Sequence, residues 1–380
     1  MRVSIYVCLI CGVLTTWAQA PIDDKATSKT RNLLGNLHLI AQRGFMFGHQ
    51  DDLAYGIGWK SEKGRSDVKE AIGSYPAVIG WDVGSRLNTD TNIDQVRFDN
   101  MRKWVKTAYK MGSVNTFSWH LDNLTTGSNS WDKTPFVSDI LPGGAKHTEY
   151  LEQLDLLADL FKSFKAGFSA IPIVFRPWHE HNGDWFWWGK GNTSEEDYIA
   201  LFRFTVDYLK DEKGLHHILY AFSPDRSRLK LDTIPEQNYL WGYPGDDYVD
   251  IIGIDNYGDV GRQGGFDSPE KQAEYFVESL KLITRIARDK GKVAALTETG
   301  LEGITNQSWF TEIILNPIKD NDDEIDIAWI LVWRNANTTH HYAPYVGHPS
   351  VLDFQLFGED SMTIFQRDLK NPYKDGKALK

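Results

Sequence analysis

At 380 residues, with 41% hydrophobic and 24% charged side chains, the chain has apolar material for one large globular domain or two small ones. Its formal net charge of −11 opposes a phosphate backbone and excludes nucleic acid as a partner. The 14 tryptophans, beside 16 tyrosines and 19 phenylalanines, suit a core or flat surfaces that stack on sugar rings, so an uncharged polysaccharide stays open as a partner.

Residues 1–20 read as an export signal. Arg2 supplies a small positive region, the run VSIYVCLICGVL is apolar but too short to span a membrane, and WAQA offers cleavage after Ala18 or Ala20. A large Ile10 before Cys11 disfavours a lipid anchor there. Both cysteines, Cys8 and Cys11, fall inside this segment, so the mature chain is expected to hold no disulfide and no thiolate. The protein is therefore expected to be exported, to the periplasm or beyond the cell. No later stretch is long and apolar enough for an integral membrane segment.

From 21 to 380 there is no linker, low-complexity tract or charge block, which predicts one domain. A short apolar run, a polar loop and a helical segment recur eight times. The runs are 45–49, 77–82, 114–119, 171–178, 217–223, 249–255, 293–298 and 327–333. They are continuous rather than alternating, as strands buried on both faces of a parallel sheet should be. Between them, 149–165 carries Leu151, Leu154, Leu157, Ala158 and Phe161 at helical spacing. Ser194 opens a further helix as a capping box, and Ser268-Pro269 and Gly291 bracket another. Eight strands alternating with helices predict an α/β fold, a (β/α)8 TIM barrel, over an open doubly wound sheet, because no G-x-G-x-x-G follows any strand.

Chemistry in such a barrel sits at the carboxyl ends of the strands. Those ends carry His49-Gln50-Asp51, Trp81-Asp82, Trp119-His120, Arg176 through Trp188, Asp255-Asn256-Tyr257, Glu298 and Trp333-Arg334-Asn335. Glutamates closing strands four and seven fit glycosidic hydrolysis, in which one carboxylic acid protonates the leaving oxygen and a second carboxylate attacks the anomeric carbon. Strands three apart can hold such groups at roughly 5 Å, the separation that goes with retention. Taken singly, Glu180 and Glu298 are more simply solvated or structural residues; their joint placement beside a tryptophan rim favours catalysis. A metal set drawn from His120, His179, His181 and Glu180 is the rival, but no H-E-x-x-H spacing supports it, and neither metal nor cofactor is expected. Trp187 and Trp188 read equally as core or as subsite wall. The acidic run Asp320–Asp326 reads as a solvated loop.

At RPWHEHNGDWFWWG (176–189) the chain resembles glycoside hydrolase family 26, whose best-known members are β-mannanases. The resemblance continues in MFGHQDD (46–52), PGDDYVDIIGIDNYG (244–258), LTETG (296–300) and VWRN (332–335). It implies that Glu180 is the acid/base and Glu298 the nucleophile of a retaining β-1,4-mannan hydrolase. His179 and Tyr257 would lie beside the nucleophile and hold it and the sugar, and Trp333 would floor the sugar being cleaved. His120, Trp185 and Arg334 would contact that sugar or its non-reducing neighbour. Trp131 joins them at a spacing from His120 that differs somewhat from the family pattern. The implied partner is β-mannan or manno-oligosaccharide, taken by a monomer. The same pair would serve mixed-linkage glucan or β-1,3-xylan. A catalytically dead polysaccharide-binding protein is the reading from another class, and two apposed carboxylates count against it. A metal-dependent deacetylase or phosphatase would need ligands the chain does not clearly offer.

Overall fold

The computed structural model describes residues 20–262 and 267–380, so the export-signal segment lies, but for Ala20, outside the described residues. Eight parallel strands run β1 (Phe45–Gln50), β2 (Val78–Asp82), β3 (Val114–Ser118), β4 (Ile173–Arg176), β5 (Ile218–Phe222), β6 (Ile251–Asn256), β7 (Val293–Thr299) and β8 (Trp329–Val332). Each pairs with the next, and β8 returns to β1 through Met46 opposite Trp329 and His49 opposite Val332, which closes the barrel. The expected (β/α)8 barrel is the observed one.

Every residue of these eight strands is buried, and the reason is two layers of packing. Met46, Val78, Val114, Val174, Leu219, Ile251, Val293, Ala295 and Leu331 form one cluster with Leu33, Leu34, Leu37 and Ile40 of helix α1 (Ser28–Ala41). That helix stoppers the amino end of the barrel with its apolar stripe. The alternate residues, including Phe47, Ile79, Phe117, Phe175, Ile252, Leu296 and Ile330, face the surrounding helices. A strand with both faces covered has no polar side to show, hence the unbroken apolar runs.

The helices relevant to the site are α2 (Phe98–Met111), α3 (His147–Ser163), α4 (Glu195–Asp207) and α5 (Pro269–Lys290). In α3 the buried stripe is Leu154, Leu157, Ala158, Leu160 and Phe161, whereas Leu151 stays half-buried. Each fully buried side chain of this kind contributes roughly 1.5–3 kcal/mol. Ser194 caps α4 by accepting from the Asp197 amide, and α5 opens with Pro269 behind the Ser268 cap and ends on Gly291 at φ 62°. Among the described residues no helix is long and apolar enough to cross a membrane.

Candidate active site

The floor of the carboxyl-end cleft is set by backbone before it is set by side chains. After β4 the chain turns so that Trp178 and Glu180 adopt φ of 54° and 52°. Side-chain-bearing residues avoid that left-handed region, at a cost of roughly 1–3 kcal/mol each, and hold it only where the surroundings over-determine it. Those surroundings are visible. The Glu180 amide donates to the Ser223 carbonyl at 2.8 Å, Tyr198 Oη to the Trp178 carbonyl at 2.9 Å, and Trp188 Nε1 to the His179 carbonyl at 2.8 Å. The turn aims the Glu180 side chain into the cleft.

Glu298 arrives by a different device. Strand β7 pairs regularly with β6 up to Leu296 opposite Ile254, and then Glu298 stands opposite Asp255. Thr297 is the extra residue of a bulge, and its hydroxyl bonds the Ile254 carbonyl at 3.0 Å and Asp255 Oδ1 at 2.7 Å. In a strand of period two, one inserted residue turns the next side chain to the other face. Glu298 thereby joins the face on which Asp255 lies.

Glu180, Asp255 and Glu298 each have a carboxylate oxygen within 4.8 Å of the others. Arg176, from the end of β4, binds Asp255 at 2.7 Å and Ser223 Oγ at 3.0 Å and also ion-pairs with Glu298. Tyr257 donates to the second oxygen of Glu298 at 3.1 Å. Trp185 Nε1 donates to Glu180 at 2.7 Å. Two of the three carboxylates, Asp255 and Glu298, thus share one guanidinium. Burial first, then the charges of Asp225, Asp255 and Glu298, push the Glu180 carboxyl well above the ordinary range, against the Trp185 hydrogen bond. Burial, with the charge of Glu298 adding, also raises Asp255 well above the ordinary range, but there Arg176 and the Thr297 hydrogen bond oppose it directly. The proton therefore belongs on Glu180, the member without a cationic partner in hydrogen-bond reach.

One wall holds His120, whose Nδ1 meets Asp82 at 2.6 Å. Burial favours the neutral ring, yet Asp82, with Glu298 and Asp94 adding, raises the His120 pKa. Trp131 lies parallel to the His120 ring at 5.3 Å and is 47% exposed, an open aromatic face. His179 meets His120 edge-on at 4.6 Å, and burial, with Arg176 and His120 adding, keeps it well below its usual pKa and neutral. Half-buried Trp333 follows β8, its amide donating to Thr299 beside Glu298. Arg334 stands further along, 3.1 Å from Asp94 and 3.5 Å from Tyr55 Oη, on a 520 Å³ hollow with Trp59, Lys60 and Gln95.

A model of glycosyl hydrolase family 26 matches residues 22–313. The chain belongs to that family. It is 30% identical to a mannan endo-1,4-beta-mannosidase of Bifidobacterium adolescentis over 94% of its own length but only 36% of the relative's, so it spans about a third of that protein. A mannan endo-1,4-beta-mannosidase of Bacillus subtilis is 27% identical over 78% of this chain and 77% of its own. Among solved structures, a family 26 beta-mannanase from Bacteroides ovatus superposes with a TM-score of 0.84 at 39% identity, covering 92% of this chain and 98% of that one.

In this family 26 chain the residues named from sequence gather as one constellation, from Trp131 through His120 and His179 to Glu180, Trp185, Tyr257 and Glu298, with Trp333 and Arg334 on the β8 side. Trp187 and Trp188 are wholly buried and resolve to core. His181 turns away to the Trp241 carbonyl, and among the described residues the group able to hold a cation is the carboxylate trio, not the histidines. Arg176 already supplies the counter-charge there. Arg176, Asp255 and Asp82 hold strand-end positions to which the sequence assigns no role, and nothing in the sequence marks Asp94 or Asp225. An arginine inside the apolar run IPIVFR was the available signal for a buried ion pair.

Proposed function

We propose that this family 26 chain hydrolyses β-1,4-linked mannan with retention of configuration, with Glu180 as acid/base and Glu298 as nucleophile. The carrying observation is the spacing of their carboxylate oxygens, within 4.8 Å. Retaining pairs stand about 5–5.5 Å apart, whereas inverting pairs need about 6.5–9.5 Å to admit a water.

The steps follow from the charges. Glu180 gives its proton to the leaving glycosidic oxygen as a Glu298 oxygen bonds to the anomeric carbon and the carbon–oxygen bond to the leaving sugar breaks. Once Glu298 is esterified its negative charge is gone, and with it one of the influences that held the proton on Glu180. Glu180 can then take a proton from water as that water attacks the anomeric carbon and releases Glu298. Trp185 Nε1 stabilises the Glu180 carboxylate between the two steps. Tyr257 and Arg176 orient Glu298 throughout. His120 and His179, with the open face of Trp131 and the half-buried Trp333, supply the polar and apolar surfaces a pyranose needs.

The deciding experiment is a product profile on mannohexaose, locust bean gum and barley β-glucan, run with Glu180→Ala and Glu298→Ala. Short manno-oligosaccharides from the first two substrates alone are expected. Glu298→Ala should lose at least about 10⁴-fold in kcat, and Glu180→Ala should keep a burst on an activated aryl mannoside. Wild-type mannan turnover by Glu298→Ala would remove the nucleophile assignment, and cleavage of the glucan alone would overturn the substrate.

A further inference from the structure

The strained turn that carries Glu180 has a restraint on its far side. Asn182, two residues beyond Glu180, accepts from the Asp225 amide at 2.7 Å and donates to the Asp225 carbonyl at 2.7 Å. Both residues are buried, and the pair is reciprocal, so it fixes direction as well as distance. Asp225 is itself locked. Its Oδ1 accepts from the Ser227 amide at 2.7 Å and from the Ser227 hydroxyl, and its backbone bridges to Asp255. Just upstream, the Ser223 carbonyl takes the Glu180 amide and Ser223 Oγ takes Arg176. The segment after β5 thus grips the acid/base turn on both sides of Glu180.

We propose that Asn182 and Asp225 form a positioning pair for the acid/base, in which the Asp225 main chain holds the Glu180 turn and the Asp225 carboxylate sets the charge that Glu180 experiences. The proposal rests on the assignment of Glu180 as acid/base. The groups that face Glu180 are Arg176 from β4, Asp225 from the end of β5, Asp255 and Tyr257 from β6, and Glu298 from β7. Among its charged neighbours Asp225 raises the Glu180 pKa most. The two arginines next to Asp225 in sequence are engaged elsewhere, Arg226 with Asp259 at 2.8 Å and Arg228 with Asp184 at 2.7 Å. Burial raises the Asp225 carboxyl, while the Ser227 hydrogen bonds and then the nearby charges of Arg228 and Arg226 oppose that rise. Unlike Asp255, it has no guanidinium within hydrogen-bond reach.

The plainer role for Asp225 is to cap the short turn Arg226–Arg228. Capping and charge separate in Asp225→Asn, which keeps an acceptor for Ser227 and the main-chain pair but removes the carboxylate. Removing a negative neighbour lowers the Glu180 pKa, so the alkaline limb of kcat/KM should move down by about half a pH unit or more, with the acid limb moving less. Asn182→Ala should lower kcat on mannohexaose at least about tenfold while an activated dinitrophenyl mannoside, which needs little proton donation, loses far less. An unmoved alkaline limb in Asp225→Asn overturns the charge role, whatever the thermal midpoint does. Equal losses by Asn182→Ala on both substrates, or none, overturn the positioning role. Glu180→Ala run alongside distinguishes the premise: undiminished mannan turnover there would sink the acid/base assignment itself.

Discussion

Among the described residues Arg176 is the cation bonded to the acidic groups at the base of the cleft, and its burial makes it an all-or-nothing residue. Its guanidinium spans Asp255 and Glu298, which a forked planar cation can do and a single ammonium cannot. Truncating one partner of a buried ion pair leaves the other uncompensated at a cost of about 3–5 kcal/mol. Arg176→Lys keeps the charge but reaches one carboxylate at a time. It should fold, retain a KM for mannohexaose within a few-fold, and lose roughly 10²–10³ in kcat, as expected when a contact that matters chiefly in the transition state goes. Steady-state kinetics beside a thermal melt would check this. A variant with wild-type kcat would show that Glu298 does not need Arg176 to be oriented.

At the scale of elements, α4 is the brace of the acid/base turn. Its Thr205 hydroxyl receives Trp178 Nε1 at 3.0 Å, pairs with Tyr150 Oη of α3 at 2.7 Å and donates to the Leu201 carbonyl at 2.7 Å. Valine has the shape of threonine without those bonds. Thr205→Val would strand two buried donors at about 1–3 kcal/mol each, so a loss of roughly 2–6 kcal/mol is expected in urea unfolding. A variant within experimental error of wild type would mean that the brace is redundant. The same element shows what the sequence discloses. The strands are legible because a doubly covered strand must be apolar throughout, and Ser194 is legible because a cap is a local hydrogen bond. Glu180 and Glu298 are legible as glutamates at strand ends. Their aim is not. The left-handed backbone at Glu180 depends on bonds from Ser223 and from the brace that holds Trp178, and the bulge at Thr297 depends on Asp255, all distant in sequence. Asp225 escapes notice because nothing within SPDRS shows that it meets Asn182.

For the whole molecule, acid lability is built in through histidines that the fold requires to be neutral. Burial lowers His38, His179, His181, His217, His341 and His348, with His181 at about 3 and His217 at about 4. In the unfolded chain each titrates near 6.5. Between pH 6.5 and the folded value the unfolded state binds more protons, so stability falls as pH falls through that window. Buried Asp250 and Asp259, both raised to about 6 chiefly by burial, act in the opposite direction, their cost growing as pH rises from about 4 to 6. A single substitution isolates one contribution from this balance. His217 directly precedes β5 at the stoppered end of the barrel, remote from the cleft, and its Nε2 bonds the Phe161 carbonyl at 3.3 Å. His217→Gln can keep that donor and cannot titrate. At pH 7.5 the variant should be equal to or less stable than wild type. On going to pH 4.5 wild type should lose about 2–3 kcal/mol relative to the variant, from the shift between 6.5 and about 4. Urea midpoints at the two pH values give the difference directly. If it does not change with pH, His217 is protonated in the folded protein and the neutral-histidine account fails at this position.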